Sequence, residues 1–144
     1  MDMAPSRISL PRVVLVEDDD SLALLLLYNL EAIRFSVDRM SRGDVALIAL
    51  IARPPTLVVL DWMLPGLAGI ELLRQLRRNA QTRHVPVLML TGCASSEDRR
   101  RALACGANAF VAKPFAMGEL LAKINRLYAD TMADRHPGAS EAAQ

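Results

Sequence analysis

The chain has 144 residues, a length that suits a single domain around one core. Hydrophobic residues make up 52% of it and charged residues 23%, which excludes a disordered chain. The formal charge of +1 gives no bulk electrostatic reason to bind nucleic acid or an anionic membrane.

Met1 to Pro11 lacks the basic-then-apolar pattern of a signal peptide, and residues 1–11 read as a flexible N-terminal segment. An apolar strand, Val13–Val16, follows and runs directly into Glu17-Asp18-Asp19-Asp20. Apolar spacing of three to four residues then predicts a helix over Ser21–Ile33. Its longest apolar stretch, Leu22 to Tyr28, is far below the ~20 residues needed to span a bilayer. Arg34 stands at its end, where a left-handed glycine would cost less, so a left-handed Arg34 carries strain of about 1 kcal/mol.

A second strand, Ser36–Arg39, and a helix, Gly43–Ala52, lead to Pro54-Pro55. The third strand, Leu57–Leu60, delivers Asp61 to the turn Trp62-Met63-Leu64-Pro65-Gly66. A helix over Gly69–Asn79, a strand over Val85–Leu90 ending at Thr91, and a helix over Ser96–Cys105 come next. Gly106 takes the C-cap position of that last helix. The strand Ala109–Ala112 then ends at Lys113-Pro114, and a helix covers Met117–Ala129. Asp130 to Gln144 is polar, with Pro137-Gly138-Ala139-Ser140, and reads as a disordered tail or the start of a linker.

Strands that are apolar throughout suit a parallel sheet covered on both faces. Strict alternation with helices implies right-handed crossovers and a doubly wound α/β fold, a (βα)5 sandwich occupying residues 12–129. Five such units suggest a five-stranded parallel sheet in the order 2-1-3-4-5, with the site beyond the carboxyl ends where strands 1 and 3 separate. Those are the two strands that end in acids.

Three or more carboxylates converging on one edge repel one another unless a cation joins them. A hard cation such as Mg2+ takes oxygen ligands and commonly keeps several waters. Asp18 and Asp61 are natural direct ligands, with Glu17 reaching through water and a backbone carbonyl near Met63 filling another position. A carboxylate can also act as a nucleophile and form an aspartyl phosphate. Positive charge and hydrogen-bond donors must then surround the phosphoryl oxygens, and Lys113 and Thr91 supply them.

Glu17-Asp18-Asp19, Asp61-Trp62-Met63-Leu64-Pro65-Gly66, Thr91-Gly92, Gly106-Ala107 and Lys113-Pro114-Phe115 together resemble the response-regulator receiver domain of two-component signalling. The resemblance covers roughly Arg12 to Ala129. Receivers share the flavodoxin-like strand order, so the two fold expectations are not independent. The resemblance implies that Asp61 accepts a phosphoryl group from the phosphohistidine of a sensor histidine kinase, or from a histidine phosphotransfer protein, with Mg2+ required. It further implies a cis Lys113-Pro114 bond. Thr91 and Phe110 would form the switch, the ring moving inward as helix 4, strand 5 and helix 5 change their surface.

The wording after Asp61 is most similar to receivers attached to winged-helix transcription factors. Such a DNA-binding domain needs about another hundred residues, more than follow Ala129, so no direct nucleic-acid contact is expected of this chain. Receivers of that kind pair through a charged face, for which Asp98, Arg99, Glu119 and Lys123 could serve in a homodimer. The acidic pair usual after Gly106-Ala107 is replaced by Asn108-Ala109, which weighs against the usual dimer.

Other readings compete. A Mg2+-dependent phosphatase of the haloacid-dehalogenase kind also uses a strand-end Asp, but needs a second Asp where this chain has Met63. A degenerate receiver acting as a scaffold is disfavoured because Asp61, the acidic pair, Thr91 and Lys113 are all present. Asp19 and Asp20 read as loop and helix cap, Arg99-Arg100-Arg101 as a solvated face, and Trp62 as a residue shaping its loop. His84 and His136 have no ligand partners at metal-binding spacing. Cys93 and Cys105, without a secretory signal, read as reduced thiols of a cytoplasmic protein. In the first helix, Leu22, Leu25, Leu26, Leu30 and Ile33 share the face expected to cover the sheet. Leu24 and Leu27 fall outside it, either as partly buried surface leucines or as a docking surface for a partner helix.

Overall fold

A computed structural model describes residues 9–92 and 95–135. The elements follow in strict alternation: β1 (Arg12–Val16), α1 (Asp20–Ala32), β2 (Ser36–Met40), α2 (Gly43–Ala52), β3 (Leu57–Asp61), α3 (Gly69–Arg78), β4 (Val87–Thr91), α4 (Ser96–Ala104), β5 (Ala109–Ala112) and α5 (Met117–Arg135). The five strands form one parallel sheet in the order β2-β1-β3-β4-β5, as expected.

Alternation along the strands divides the core in two. Val14, Val16, Val58, Leu60, Val87, Met89 and Phe110 face α2, α3 and α4. Val13, Leu15, Leu57, Val59, Leu88, Leu90 and Val111 face α1 and α5. Both faces of β3 and β4 are therefore apolar, which accounts for their unbroken apolar runs. β2 is an edge strand, with Ser36 and Asp38 exposed and Val37, Arg39 and Met40 half-buried.

Several boundaries differ from expectation. β4 begins at Val87 rather than Val85, because Pro86 has no amide hydrogen and the Val85 amide turns back to the Thr82 carbonyl at 3.0 Å. α5 continues six residues past the expected end at Ala129. Met132, Ala133 and Arg135 favour helix there, Met132 is half-buried, and Thr131 Oγ1 bonds the Leu127 carbonyl at 2.8 Å. The tail expected from Asp130 is thus helical to Arg135, and its remainder, residues 136–144, lies outside the described residues. So do residues 1–8 of the expected N-terminal segment, Cys93 and His136.

α1 corrects the expected leucine faces. Its buried stripe is Ala23, Leu26 and Leu30, while Leu25, expected against the sheet, is 51% exposed. Leu25 lies 100° around the helix from Leu26, too far to reach the core. Leu27, placed outside that face either as a partly buried leucine or as a docking residue, is half-buried beside Arg39 of β2.

α1 ends in a Schellman turn: the Phe35 amide bonds the Leu30 carbonyl at 3.1 Å, and the Arg34 amide bonds Glu31 at 3.0 Å. Arg34 occupies the left-handed position with φ 77°, as expected. α4 ends in the same way, with Gly106 at φ 106°. Replacing Arg34→Gly should therefore raise unfolding stability by about 0.5–1 kcal/mol, the relieved strain being offset by the greater freedom of unfolded glycine. Urea denaturation of the two proteins measures this.

Candidate functional site

Strand order places the ends of β1 and β3 side by side, with Val16 paired to Leu60. Glu17 and Asp61 follow those pairs, so both acids emerge on the same edge. One carboxylate oxygen from each of Glu17, Asp18 and Asp61 lies within 4.8 Å of the others. Glu17 is only 1% exposed and Asp61 4%, whereas Asp18 faces solvent.

Lys113, just beyond β5, reaches into the cluster. Its Nζ donates to Asp61 Oδ2 and to Glu17 Oε1, both at 3.1 Å. The peptide bond to Pro114 is cis. Burial pushes the Glu17 carboxyl above its ordinary pKa, and the negative charge of Asp61 adds to that; the Asp19 amide and Lys113 only partly oppose it. For Lys113, burial alone would pull the pKa down. The hydrogen bonds and charges of Asp61 and Glu17 outweigh it and hold the ammonium above its ordinary value.

The remaining expected residues sit around this centre. The Met63 amide donates to Asp61 Oδ1 at 3.1 Å, so both Asp61 oxygens are engaged. The Met63 side chain is 64% exposed, and it stands where the phosphatase reading requires an acid. Thr91 is fully buried at the end of β4, and its carbonyl accepts from the Lys113 amide at 2.7 Å. The acidic set is all oxygen, bears charge in excess of one ammonium, and opens to water at Asp18, which fits a hard divalent cation. Asp19 caps α1 by accepting from the Leu22 amide and Asp20 opens that helix, one residue earlier than expected, where the sequence reads Asp19 as the loop and Asp20 as the cap.

Phe110 lies on the α4 side of β5. Its ring is already inward, 5% exposed within the core, and the Arg99 guanidinium lies over it at 5.3 Å from the centroid. The ring completes the apolar face of β5 under α4. Arg101 sits likewise over Trp62, the residue after Asp61, at 5.8 Å. These arginines flank Ala102, the one buried residue of α4, so two cation–π contacts supplement a single small side chain. Expected only as a solvated face, the arginine run also holds α4 to the sheet.

Other contributors had little signal in the sequence. Gly69 opens α3 directly against the end of β3: its amide bonds the Trp62 carbonyl at 2.8 Å, and a Cβ there would overlap the Asp61 carbonyl oxygen. A glycine opening a helix where an ordinary cap residue would do is the available clue. Arg77 braces the opposite end of the sheet, donating to the carbonyls of Gly106 and Val85 and to Asn108 Oδ1. Asn108 also accepts from the Val87 amide at 2.8 Å, so the residue replacing an expected acid serves this brace.

The response regulator receiver domain model matches residues 13–125. The chain is 48% identical over 118 residues to the phosphate regulon transcriptional regulatory protein PhoB of Rhizobium meliloti, covering 82% of this chain and 52% of that protein. It is similar to the Francisella response regulator 1452 receiver domain, with a TM-score of 0.79, 31% identity, and coverage of 84% and 98%. It is also similar to the receiver domain of a sensor histidine kinase from Pseudomonas aeruginosa, whose structure has a magnesium ion coordinated in the active site cleft. There the TM-score is 0.73 and the identity 27%, with 84% and 99% covered. The chain spans about half the length of the curated relatives it matches.

Gly69→Ala should push α3 away from Asp61 and lower stability by about 1–3 kcal/mol, as overpacking does. A urea midpoint unchanged from wild type would show that the start of α3 yields freely.

Proposed function

The chain belongs to the response regulator receiver domain family of two-component signalling, and on that premise we propose that Asp61 is its phosphoacceptor. The donor is the phosphohistidine of a sensor histidine kinase or of a histidine phosphotransfer protein, in the cytoplasm. The observation that carries this reading is the Lys113 contact with Asp61 Oδ2 at 3.1 Å inside the acidic pocket.

An Asp61 oxygen attacks phosphorus; the O–P bond forms as the P–N bond breaks, and its electron pair returns to the imidazole. Lys113 keeps the carboxylate oriented and then shares its charge with the phosphoryl oxygens, while Thr91 offers a hydroxyl. Glu17, Asp18, Asp61 and the Met63 carbonyl would hold Mg2+, which when bound neutralises the clustered charge around the phosphoryl oxygens. Attack by water on the same phosphorus returns the free carboxylate.

The switch acts on α4, β5 and α5. Because the Phe110 ring already lies inward, phosphorylation acts by raising the population of this arrangement as Thr91 is drawn toward Asp61. A homodimer through that face is a second partner. Arg99 and Lys123 would then exchange contacts with the Phe110 ring and carbonyl for intermolecular ones. The comparisons give no support to the phosphatase reading.

Docking falls to α1. Leu24 is 68% exposed and shares a shallow groove with Leu27, Ala23, Asp20 and Arg39 next to the acceptor edge. A partner helix from the phosphodonor fits there.

Incubation with acetyl phosphate and Mg2+ should add one phosphate, seen by intact mass, and no phosphate should be added when a chelator is present from the start or in Asp61→Asn. Stoichiometric labelling of Asp61→Asn at another residue would sink the assignment. Leu24→Asp should slow transfer from a cognate phosphodonor protein roughly tenfold, the equivalent of 1.4 kcal/mol, and leave labelling by acetyl phosphate unchanged. Equal loss with both donors would point instead to a folding defect.

A further inference from the structure

The loop that presents the acidic residues is held from the edge strand by a residue outside the acidic cluster. Arg39 Nε donates to the Glu17 carbonyl at 2.9 Å, and Arg39 Nη2 donates to Asp20 Oδ1 at 2.9 Å. One planar guanidinium therefore grips both ends of the segment whose middle holds Asp18. The neighbouring Met40 carbonyl accepts from the Glu17 amide at 3.0 Å, so strand β2 holds the Glu17 residue from both sides of its backbone. Glu17 Oε2 accepts from the Asp19 amide and Oε1 from Lys113. Asp19 is committed to capping α1. Asp18, Asp19 and Asp20 all face solvent, but Asp19 caps α1 and Asp20 meets Arg39, which leaves Asp18 as the exposed acid beside Glu17 and Asp61.

We propose that Arg39 is a positioning residue for the divalent cation, fixing the Glu17–Asp20 loop so that Asp18 meets the metal together with Asp61. This rests on the Mg2+ part of the proposed function and not on the phosphoryl transfer. Two effects of Arg39 on a cation oppose each other. Its positive charge repels the incoming ion, while its two hydrogen bonds remove the loop motion that binding would otherwise have to arrest. The Asp20 side chain is 91% exposed, so water and salt screen this end of the fork strongly. The geometric contribution is expected to dominate. Groups that orient metal ligands without touching the metal typically change affinity by about 10- to 100-fold.

Cation size separates positioning from general loosening. Mg2+ demands near-ideal octahedral geometry at short range, whereas Ca2+ accepts longer and more varied ligand distances. A misplaced Asp18 therefore penalises Mg2+ more than Ca2+. Lysine at position 39 keeps the charge and loses the two-point fork; methionine loses both.

The test is titration of the unphosphorylated chain with Mg2+ and with Ca2+, followed by calorimetry, for wild type, Arg39→Lys and Arg39→Met. Positioning predicts that both variants lose Mg2+ affinity by about tenfold and Ca2+ affinity by a clearly smaller factor. Tighter Mg2+ binding by Arg39→Met with wild-type affinity in Arg39→Lys would mean that charge repulsion dominates, and would overturn the proposal. Equal loss for both cations, or no change for either, would overturn it as well. A wild-type chain that binds no Mg2+ would remove the metal reading and this inference together, whereas a chain that binds Mg2+ and takes no phosphate at Asp61 would remove the phosphoacceptor reading alone.

Discussion

Three carboxylates within 4.8 Å of one another set the terms for everything around them. Like charges this close resist joint ionisation, and burial makes the conflict worse by removing water. One ammonium, Lys113, bridges Glu17 and Asp61 and offsets part of that charge. The balance left over is negative, which suits a divalent cation and then a phosphoryl group whose own oxygens need the same positive partners. Pairing strengthens the charge on Lys113 while burial weakens it, and the pairing wins.

Holding such a site together is a matter of backbone as much as charge. Parallel pairing of β1 with β3 brings the two acidic strand ends together, and α3 packs so closely beneath Asp61 that only glycine fits at its first residue. Lys113 is fixed through its own amide to the Thr91 carbonyl, which ties the cation to the end of β4. The site is therefore assembled from the ends of four strands, and a displacement in any one of them reaches the others through these short contacts.

α4 is held differently from the rest. The neighbouring α3 buries Gly69, Ile70, Leu72, Leu73 and Leu76, while α4 buries Ala102 alone. Cation–π contacts at exposed sites contribute on the order of 0.5–1 kcal/mol each, far less than a fully buried leucine stripe. Its C-terminal end is nevertheless firm, because Arg77 grips the Gly106 carbonyl through Nε and Nη2. A helix anchored at one end and lightly bracketed along its length is the element of this fold best suited to shift.

The sequence by itself determined the order of the elements, the topology of the sheet and the strand-end placement of Glu17, Asp18, Asp61, Thr91 and Lys113. Strands covered on both faces must be apolar throughout, and that one-dimensional signal marks where each ends and hence where its polar residue emerges. Even the left-handed Arg34 was legible, because the turn after α1 has a fixed hydrogen-bond pattern. Tertiary structure alone decided which side chains act across the fold. Arg39 meets Glu17 from the neighbouring strand, Arg99 and Arg101 reach two different rings from one helix, and Phe110 is already inward. It also left Leu25 exposed on α1 and Leu27 half-buried beside Arg39, since exposure there depends on which neighbour flanks the helix. These contacts join residues with no periodic relation in the chain, and their geometry exists only once the strands have been laid side by side.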